Sequence, residues 1–440
     1  MSGVRGQGSV VSCQLSGVSC QDFFEGDFRA LKESDAWREL RTVTDRQGSM
    51  IMVDGQQYIN FGSNDYLGLS QHPILIEAAI KATERWGVGA QASRLVTGNY
   101  GLVEELESVT AEFKGTASSL VFPTGYQANV GLLTALFQKG DVIILDKLCH
   151  ASLVDGTKLS GATVRVYPHG DLEYLQKLLD QTQDVRRRAV VTESIFSMDG
   201  DLAALDEIAL LLSAECGARN AEQKLKNEEL PSTRHPAPGT FLIVDDAHAT
   251  GVLGPKGEGA KAHFNLPDSE HFETVWTGTY SKALGSQGGY VCGSRALRAY
   301  LINHARAFIY STGLAPAAAG AALAAVQLLQ RDESFVEGLR TNIQYFSQRL
   351  FELKVRPSVL SHSRAELLVP TANILSPIFP IILGANAAVL AKQETLKQKD
   401  FWVPAMRYPT VKQGSERLRV SLRADHSQPM VNNLCRALLG

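Results

Sequence analysis

The residues of this sequence that could carry out chemistry follow short apolar runs. Lys282 lies in TGTYSKALGSQGGYV, where small residues leave room around its amine, and Asp245 ends the apolar run FLIV. Such a lysine can act as a nucleophile or base, whereas a partly buried carboxylate needs a cation or hydrogen-bond donors. His248 follows Asp245 by three residues, but no third ligand of matching spacing and no HExxH motif accompany them. We therefore predict no metal site.

Two further polar features follow apolar runs earlier in the chain. Gly125, in PTGYQAN, stands where a helix is predicted to begin, and the exposed amides of a helix N-terminus can bind a phosphate. His150, in DKLCHASLVDG, lies at a predicted strand-to-helix corner. A Thr-Gly helix start is more often only a cap, and a single histidine is more often structural. Neither feature identifies a site by itself.

Taken together, these features fit one cofactor, pyridoxal phosphate (PLP). It needs an anion site, a partner for its protonated ring nitrogen, a group that stacks on the ring and an amine for a Schiff base. A carboxylate about 4 Å from the pyridinium gains on the order of 4 kcal/mol at an effective dielectric constant of about 20. The first strand is not followed by GxGxxG, and GxxxxGK[ST] is absent, so neither a dinucleotide nor a nucleoside triphosphate is predicted.

The elements that must position these residues read as a parallel α/β sheet. Short Val- and Ile-rich runs alternate with amphipathic segments, which is typical of strands buried on both faces between helices. The predicted strands are SLVF (119–122), VIIL (142–145), TVRVY (163–167), AVVTES (189–194), FLIVDD (241–246), TVWTGT (274–279) and GYVCG (289–293). Ligands of such sheets bind beyond the carboxyl ends of the strands, where the polar features lie.

The two ends of the chain predict a smaller α+β domain assembled from both. SMIMVDG and QQYINF form a predicted hairpin near the start, and IFPIIL and RLRVSLRA are predicted strands near the end. We expect a flexible tail over 1–20, an N-terminal segment of the small domain over 21–60, a large domain over 61–312 and the rest of the small domain over 313–440. The charged, proline-containing segment 215–240 is interpreted as a surface excursion.

Composition narrows the class of protein. The chain has 440 residues and a formal net charge of -3, which argues against a nucleic-acid binder. Its six cysteines form no disulfide framework or metal-ligand spacing, which is typical of reduced thiols in the cytosol. We find no signal-peptide core and no apolar run of the roughly 18 residues that a membrane span requires. A cytoplasmic protein with no membrane partner is expected.

The motifs resemble the α-oxoamine synthase family of fold-type I PLP enzymes. The resemblance covers about residues 38 to 425 and rests on the segments SNDYLGLSQHP, SRLVTGN, PTGYQAN, CHASLVDG, FSMDGD, IVDDAHATGVLG and TYSKALGSQGGY. It implies a seven-stranded, mostly parallel sheet with a smaller α+β domain, PLP as the cofactor and a homodimer.

The resemblance also implies a role for individual residues. Lys282 would form the Schiff base with PLP and move the proton at the substrate α-carbon, while Asp245 would pair the ring nitrogen. The remaining roles are these: His248 on the phenolic oxygen, His150 stacked on the ring and near the substrate carboxylate, Gly125, Tyr126 and Thr279 at the phosphate, Ser197 at the cofactor, Arg407 on the amino-acid carboxylate, Thr410 in the acyl pocket, and Arg38 at the substrate.

Within the family, SNDYLGL, SRLVTG and SKALGSQGGYV are most similar to the enzymes of biotin biosynthesis that condense L-alanine with a pimeloyl thioester, carried by CoA or acyl-carrier protein. The products would be 8-amino-7-oxononanoate, CO2 and free thiol. The sister activities, those of 5-aminolevulinate synthase, 2-amino-3-ketobutyrate CoA ligase and serine palmitoyltransferase, share most motifs and stay open. A non-catalytic partner subunit is the less favoured alternative, because such subunits typically lack the Schiff-base lysine.

Overall fold

A computed structural model of the chain describes residues 24–182, 185–227, 239–353 and 375–439. Its helices are α1 (Glu25–Glu33), α2 (Pro73–Trp86), α3 (Gly101–Phe113), α4 (Gly125–Leu136), α5 (Ala151–Ser160), α6 (Leu172–Asp180), α7 (Leu205–Asn227), α8 (Ala260–His263), α9 (Arg295–His304), α10 (Arg306–Ile309), α11 (Pro316–Arg331), α12 (Ser334–Glu352), α13 (Asn386–Lys397) and α14 (Gln428–Leu439). Its strands are β1 (Val43–Gln47), β2 (Met50–Val53), β3 (Gln56–Asn60), β4 (Ser118–Phe122), β5 (Val142–Asp146), β6 (Thr163–Tyr167), β7 (Arg187–Glu193), β8 (Gly239–Asp245), β9 (Glu273–Thr279), β10 (Gly289–Gly293), β11 (Ile378–Ile382), β12 (Phe401–Trp402), β13 (Ala405–Met406) and β14 (Arg417–Ser421).

The seven predicted strands form one sheet in the order β4-β10-β9-β8-β7-β5-β6. The neighbours β6, β5, β7, β8 and β9 pair in parallel, whereas β10 is antiparallel to both β9 and β4. Every residue of β5 is buried, as are six of the seven residues of β7 and five of the seven residues of β8. The predicted seven-stranded, mostly parallel sheet is therefore confirmed, and its continuous apolar runs mark strands covered on both faces.

Two apolar clusters cover the sheet. One contains Phe122, Leu132, Val191 and Phe308, and packs α4, α5, α9 and α10 against one face. The larger cluster contains Trp276 and Tyr290 with residues of α3, α7 and α11, and it continues into the C-terminal elements. The helices hold the strand ends in fixed register, so the loops that follow the strands have rigid bases.

Elements from the two chain ends share a sheet. The order is β1-β2-β3-β12, and Phe401 pairs in parallel with Ile59. A third sheet, β11-β14-β13, lies in the C-terminal part. The predicted hairpin turns at Asp54-Gly55, both of which have positive φ. We keep the division into a large and a small domain as a proposal that this pairing supports.

The segment 215–240 is more regular than the sequence suggested. Helix α7 runs on to Asn227, and residues 228–238 lie outside the described part, as does the tail over 1–20. Glu and Lys are good helix formers, so a charged run can extend a helix that apolar residues began. Among the described residues, no helix is long and apolar enough to cross a membrane, and the four cysteines are free and buried.

Candidate active site

A cavity of about 220 Å³ opens at the carboxyl ends of β4, β5, β7, β8 and β9. Ligands of parallel sheets usually bind at this position. It is lined by Thr124, Gly125, Tyr126, Asn129, His150, Ser152, Glu193, Asp245, Ala247, His248, Gly278, Thr279, Ser281 and Lys282. The structure thus brings together residues from five separate stretches of the chain.

The N-terminus of α4 forms one end of the cavity. The Thr124 side chain caps the helix by accepting from the Gln127 amide at 3.1 Å. Across from it, the Thr279 hydroxyl lies 2.7 Å from Ser281 Oγ and 2.7 Å from the Gly288 carbonyl. Amides at a helix N-terminus next to two hydroxyls make a suitable site for a phosphate.

Gly289 allows the backbone of β10 to pass close to the start of α4. A Cβ at this position would lie 2.5 Å from the Gly125 nitrogen and 2.5 Å from two Thr124 backbone atoms, which a folded backbone does not tolerate. Strand β10 therefore needs glycine where it passes the start of α4.

We expect Gly289→Ala to weaken PLP binding at least about tenfold, because the displaced Thr124-Gly125 backbone no longer directs its amides at the phosphate. Equilibrium titration of the apoprotein with PLP would measure the dissociation constant. Gly101→Ala is the matched control, since a Cβ there meets nothing within 4 Å. Equal PLP affinities of Gly289→Ala and Gly101→Ala would show that the phosphate site at the start of α4 does not depend on Gly289.

Asp245 presents a carboxylate at the end of β8. Its Oδ2 accepts from Asn129 Nδ2 at 2.7 Å, and its Oδ1 accepts from the Ala247 amide at 3.0 Å. The side chain is 8% exposed. Two donors hold the carboxylate in place at the cavity wall, where it can pair with a cationic ring nitrogen.

Two acidic side chains act electrostatically on Lys282. Burial lowers the pKa of its ammonium to about 8, although the charges of Asp245 and Glu193 raise it. Glu193 ends β7 in direct register with Asp245, and burial together with Asp245 raises its pKa well above the usual range. A lysine with a lowered pKa can give up its proton near neutral pH, which suits a nucleophile or base.

Two histidines complete the wall. His150 caps α5, and burial lowers its pKa. Burial, Lys282 and Arg419 lower the pKa of His248 well below its usual value. His248 Nδ1 lies 2.7 Å from the hydroxyl of Tyr66, which in turn receives a hydrogen bond from Arg419 at 3.3 Å. Both imidazoles are therefore held neutral and hydrogen-bonded.

The substrate residues predicted in the small domain lie near one another. Arg38 donates to the Thr410 hydroxyl at 2.7 Å, and Arg407 donates to the carbonyls of Asp35 and Trp37, the latter at 3.1 Å. Neither they nor Ser197 are among the residues that line the cavity. Their roles toward substrate stay predictions.

His169 connects two loops that follow neighbouring strands of the sheet. Its Nδ1 lies 3.1 Å from the Asp146 carboxylate at the end of β5, and its Nε2 lies 2.6 Å from Asp201 after β7. Burial lowers its pKa, but the two carboxylates overcome this and raise it to about 10. His169 is thus an ionic link between the loop that carries His150 and the turn that carries Ser197.

We expect His169→Gln to lower the free energy of unfolding at pH 7 by about 3–5 kcal/mol, because it leaves two carboxylates without their cation. The pKa of His169 is higher in the folded chain than the unfolded value of about 6.5, so its stabilisation is complete below pH 6.5 and lost as pH rises to about 10. Urea unfolding at pH 7 and pH 10 would test this. A difference from wild type that does not shrink at pH 10 would contradict the ionic link.

Sequence reasoning missed several residues of the site. Asn129 and Ser152 are hidden within helical segments, and Glu193 was read only as the end of a strand. Arg419 lies far along the chain and is 3% exposed. A buried arginine or glutamate in an apolar strand does carry a signal, since such a charge needs a partner.

The residues present fit PLP. The cavity joins an amide-and-hydroxyl end to a wall with the Asp245 carboxylate and to the amine of Lys282. Asn129 Oδ1 is buried without a protein partner among the described residues. These are the donor and acceptor types that a phosphorylated pyridine aldehyde requires.

The family described as "Aminotransferase class I and II" matches residues 56–216 and 233–438. The chain belongs to this family. Curated members similar to it include 8-amino-7-oxononanoate synthase of Methylococcus capsulatus, 39% identical over 93% of this chain and 95% of that protein, and that of Thermoanaerobacter pseudethanolicus, 37% identical over 94% and 95%.

Solved structures of the aminotransferase class I and II family share the fold. Serine palmitoyltransferase of Sphingomonas wittichii superposes with a TM-score of 0.81 at 25% identity, over 96% of this chain and 97% of that one. 8-Amino-7-oxononanoate synthase of Francisella tularensis gives 0.68 at 28% identity, over 87% and 96%. Both activities are among those of the α-oxoamine synthases, so the resemblance inferred from the motifs is confirmed.

Proposed function

We propose that the protein is a PLP-dependent acyltransferase that condenses L-alanine with a pimeloyl thioester, releasing CO2, free thiol and 8-amino-7-oxononanoate in biotin biosynthesis. The observation that carries the proposal is the convergence of Lys282, Asp245 and His248 on one cavity whose far end suits a phosphate. Relatives named 8-amino-7-oxononanoate synthase match over more than 90% of the chain.

The chemistry divides between the cofactor and the chain. When bound, PLP supplies an electron sink that stabilises negative charge at the amino-acid α-carbon. Asp245 would hold the ring nitrogen in its protonated form, and the amides at the start of α4 with the hydroxyls of Thr279 and Ser281 would hold the phosphate.

Proton transfer is the task of Lys282. Its pKa of about 8 lies near physiological pH, so its amine can both accept the α-proton of alanine and later return a proton to the product carbon. His248 would donate to the phenolic oxygen of the cofactor, and its hydrogen bond to Tyr66 fixes the ring.

The substrates are tested by a panel of thiol-release assays on the purified holoenzyme. L-Alanine with pimeloyl-CoA or pimeloyl-acyl-carrier protein should release thiol faster than glycine with succinyl-CoA or acetyl-CoA, or serine with palmitoyl-CoA. Faster release with glycine and a short acyl-CoA would exclude the biotin assignment and leave only the family. The two pimeloyl carriers are compared in the same panel.

Arg407 is proposed to bind the carboxylate of alanine. We expect Arg407→Ala to raise the KM for alanine about 10- to 100-fold, because a charged hydrogen bond to the substrate is lost. Arg407→Lys keeps the charge but not the two-pronged geometry, so it should recover only part of the loss. Steady-state kinetics with alanine varied would measure both, and an unchanged KM in Arg407→Ala would exclude this role.

We also propose a cytoplasmic homodimer. Leu95 and Val96, in the SRLVTGN motif, are 53% and 73% exposed, and Tyr310 is 71% exposed. Apolar side chains with this exposure favour an interface with a second copy. Gel filtration with light scattering would measure the oligomeric state.

A further inference from the structure

A chain of hydrogen bonds links Asp245 to His150 along the wall of the cavity. Asn129 Nδ2 donates to Asp245 Oδ2 at 2.7 Å and to Ser152 Oγ at 2.9 Å. Ser152 Oγ in turn lies 2.8 Å from His150 Nδ1. Asn129 and Ser152 are 2% and 1% exposed, so water competes little for these bonds.

Donor chemistry fixes the direction of this chain. A carboxylate only accepts, so the Asn129 amide must turn its NH2 group toward Asp245; the opposite orientation would place two acceptors 2.7 Å apart. The second proton of that NH2 group then points at Ser152 Oγ, which accepts it. The single hydroxyl proton of Ser152 is thereby left for His150.

His150 must therefore carry its proton on the other ring nitrogen. The Ser152 amide also donates to His150 Nδ1, at 3.2 Å, so two donors face the same nitrogen. A nitrogen that accepts has a lone pair, and the proton of the neutral ring stands on Nε2. No protein partner of Nε2 is found among the described residues, while the ring lines the cavity.

We propose that Asn129 and Ser152 are positioning residues that hold His150 in its Nε2–H form, so that the ring offers an N–H donor to an acceptor oxygen of the substrate. The proposal rests on the proposed function for the identity of that oxygen. The tautomer itself follows from Asp245, Asn129 and Ser152 alone.

The tautomer can be observed directly in holoenzyme labelled with 15N-histidine. The chain has 10 histidines, and the signals lost in His150→Gln identify those of His150. Long-range 1H–15N spectra should show an unprotonated Nδ1 and a protonated Nε2 in wild type. A protonated Nδ1 would overturn the proposal, and because no substrate is present this result would leave the thiol-release test of function untouched.

Variants test whether the hydrogen-bond chain determines the tautomer of His150. Ser152→Ala loses the hydroxyl donor but keeps the amide donor at Nδ1. We therefore expect part of the Nδ1–H form beside the Nε2–H form, and a fall of about tenfold in kcat/KM from the loss of one hydrogen bond to the ring. Ser152→Thr keeps the hydroxyl and should recover the Nε2–H form. Asn129→Leu should act like Ser152→Ala.

Thr157→Val is the matched control on α5. Thr157 is 1% exposed like Ser152, but its hydroxyl has no partner among the described residues. We expect wild-type spectra and kcat/KM for Thr157→Val. A wild-type tautomer in Ser152→Ala, or an equal change in Thr157→Val, would show that Ser152 does not set the tautomer.

Discussion

Replacing Lys282 with alanine should lower turnover at least about 10³-fold, because one residue supplies both the amine that binds the cofactor and the base at the α-carbon. The absorbance band at the violet edge of the visible spectrum, which reports the bond between PLP and a lysine, should also be lost. Absorption spectra and thiol release on the same preparation would measure both effects.

The fold should survive this change. Lys282 forms no ion pair within hydrogen-bond distance in the described part of the chain, and removing a desolvated ammonium costs little. Lys81→Ala is the control, since Lys81 forms an exposed pair with Glu77 on α2, far in sequence from the site. Turnover retained in Lys282→Ala, with normal circular dichroism, would refute the role of Lys282.

Replacing Asp245 with asparagine should have the second largest effect. A carboxylate near the ring nitrogen is worth on the order of 4 kcal/mol at an effective dielectric constant of about 20, or about 10³-fold in rate. Asparagine keeps the shape but not the charge, so kcat should fall while PLP still binds. Steady-state kinetics and PLP titration would separate the two effects.

Glu193→Gln is the matched control at the adjacent strand end. Burial and Asp245 raise the pKa of Glu193 well above its usual value, so glutamine resembles its neutral form, and the side-chain oxygen can still accept from the His150 amide. We expect a loss of kcat well below that of Asp245→Asn. Equal losses of kcat in the two variants would show that the charge of Asp245 does not account for the effect of Asp245→Asn.

Periodicity predicted the central sheet well because the strands are buried on both faces. VIIL and FLIVDD became β5 and β8 within one or two residues, and their polar ends mark one edge of the sheet. The short strands β12 and β13 were not predicted, since two residues carry no periodicity and their pairing with β3 and β14 depends on distant parts of the chain.

The residues of the candidate site and of its surroundings also differ in how well the sequence reveals them. Lys282 and Asp245 can be recognised from the local sequence, because a charged residue that follows an apolar strand needs a partner or a function. Asn129 and Ser152 do not, since their roles arise only when α4 and α5 pack side by side. Arg419 reaches Tyr66 across more than 350 positions of sequence, which no local pattern can show.

The most direct test of this account is to reduce the holoenzyme with borohydride and to map the modified peptide by mass spectrometry. Reduction fixes PLP to the amine that holds it. We predict a single phosphopyridoxyl group, located on Lys282. An adduct on another lysine, or none in protein purified with PLP, would contradict the assignment of the site.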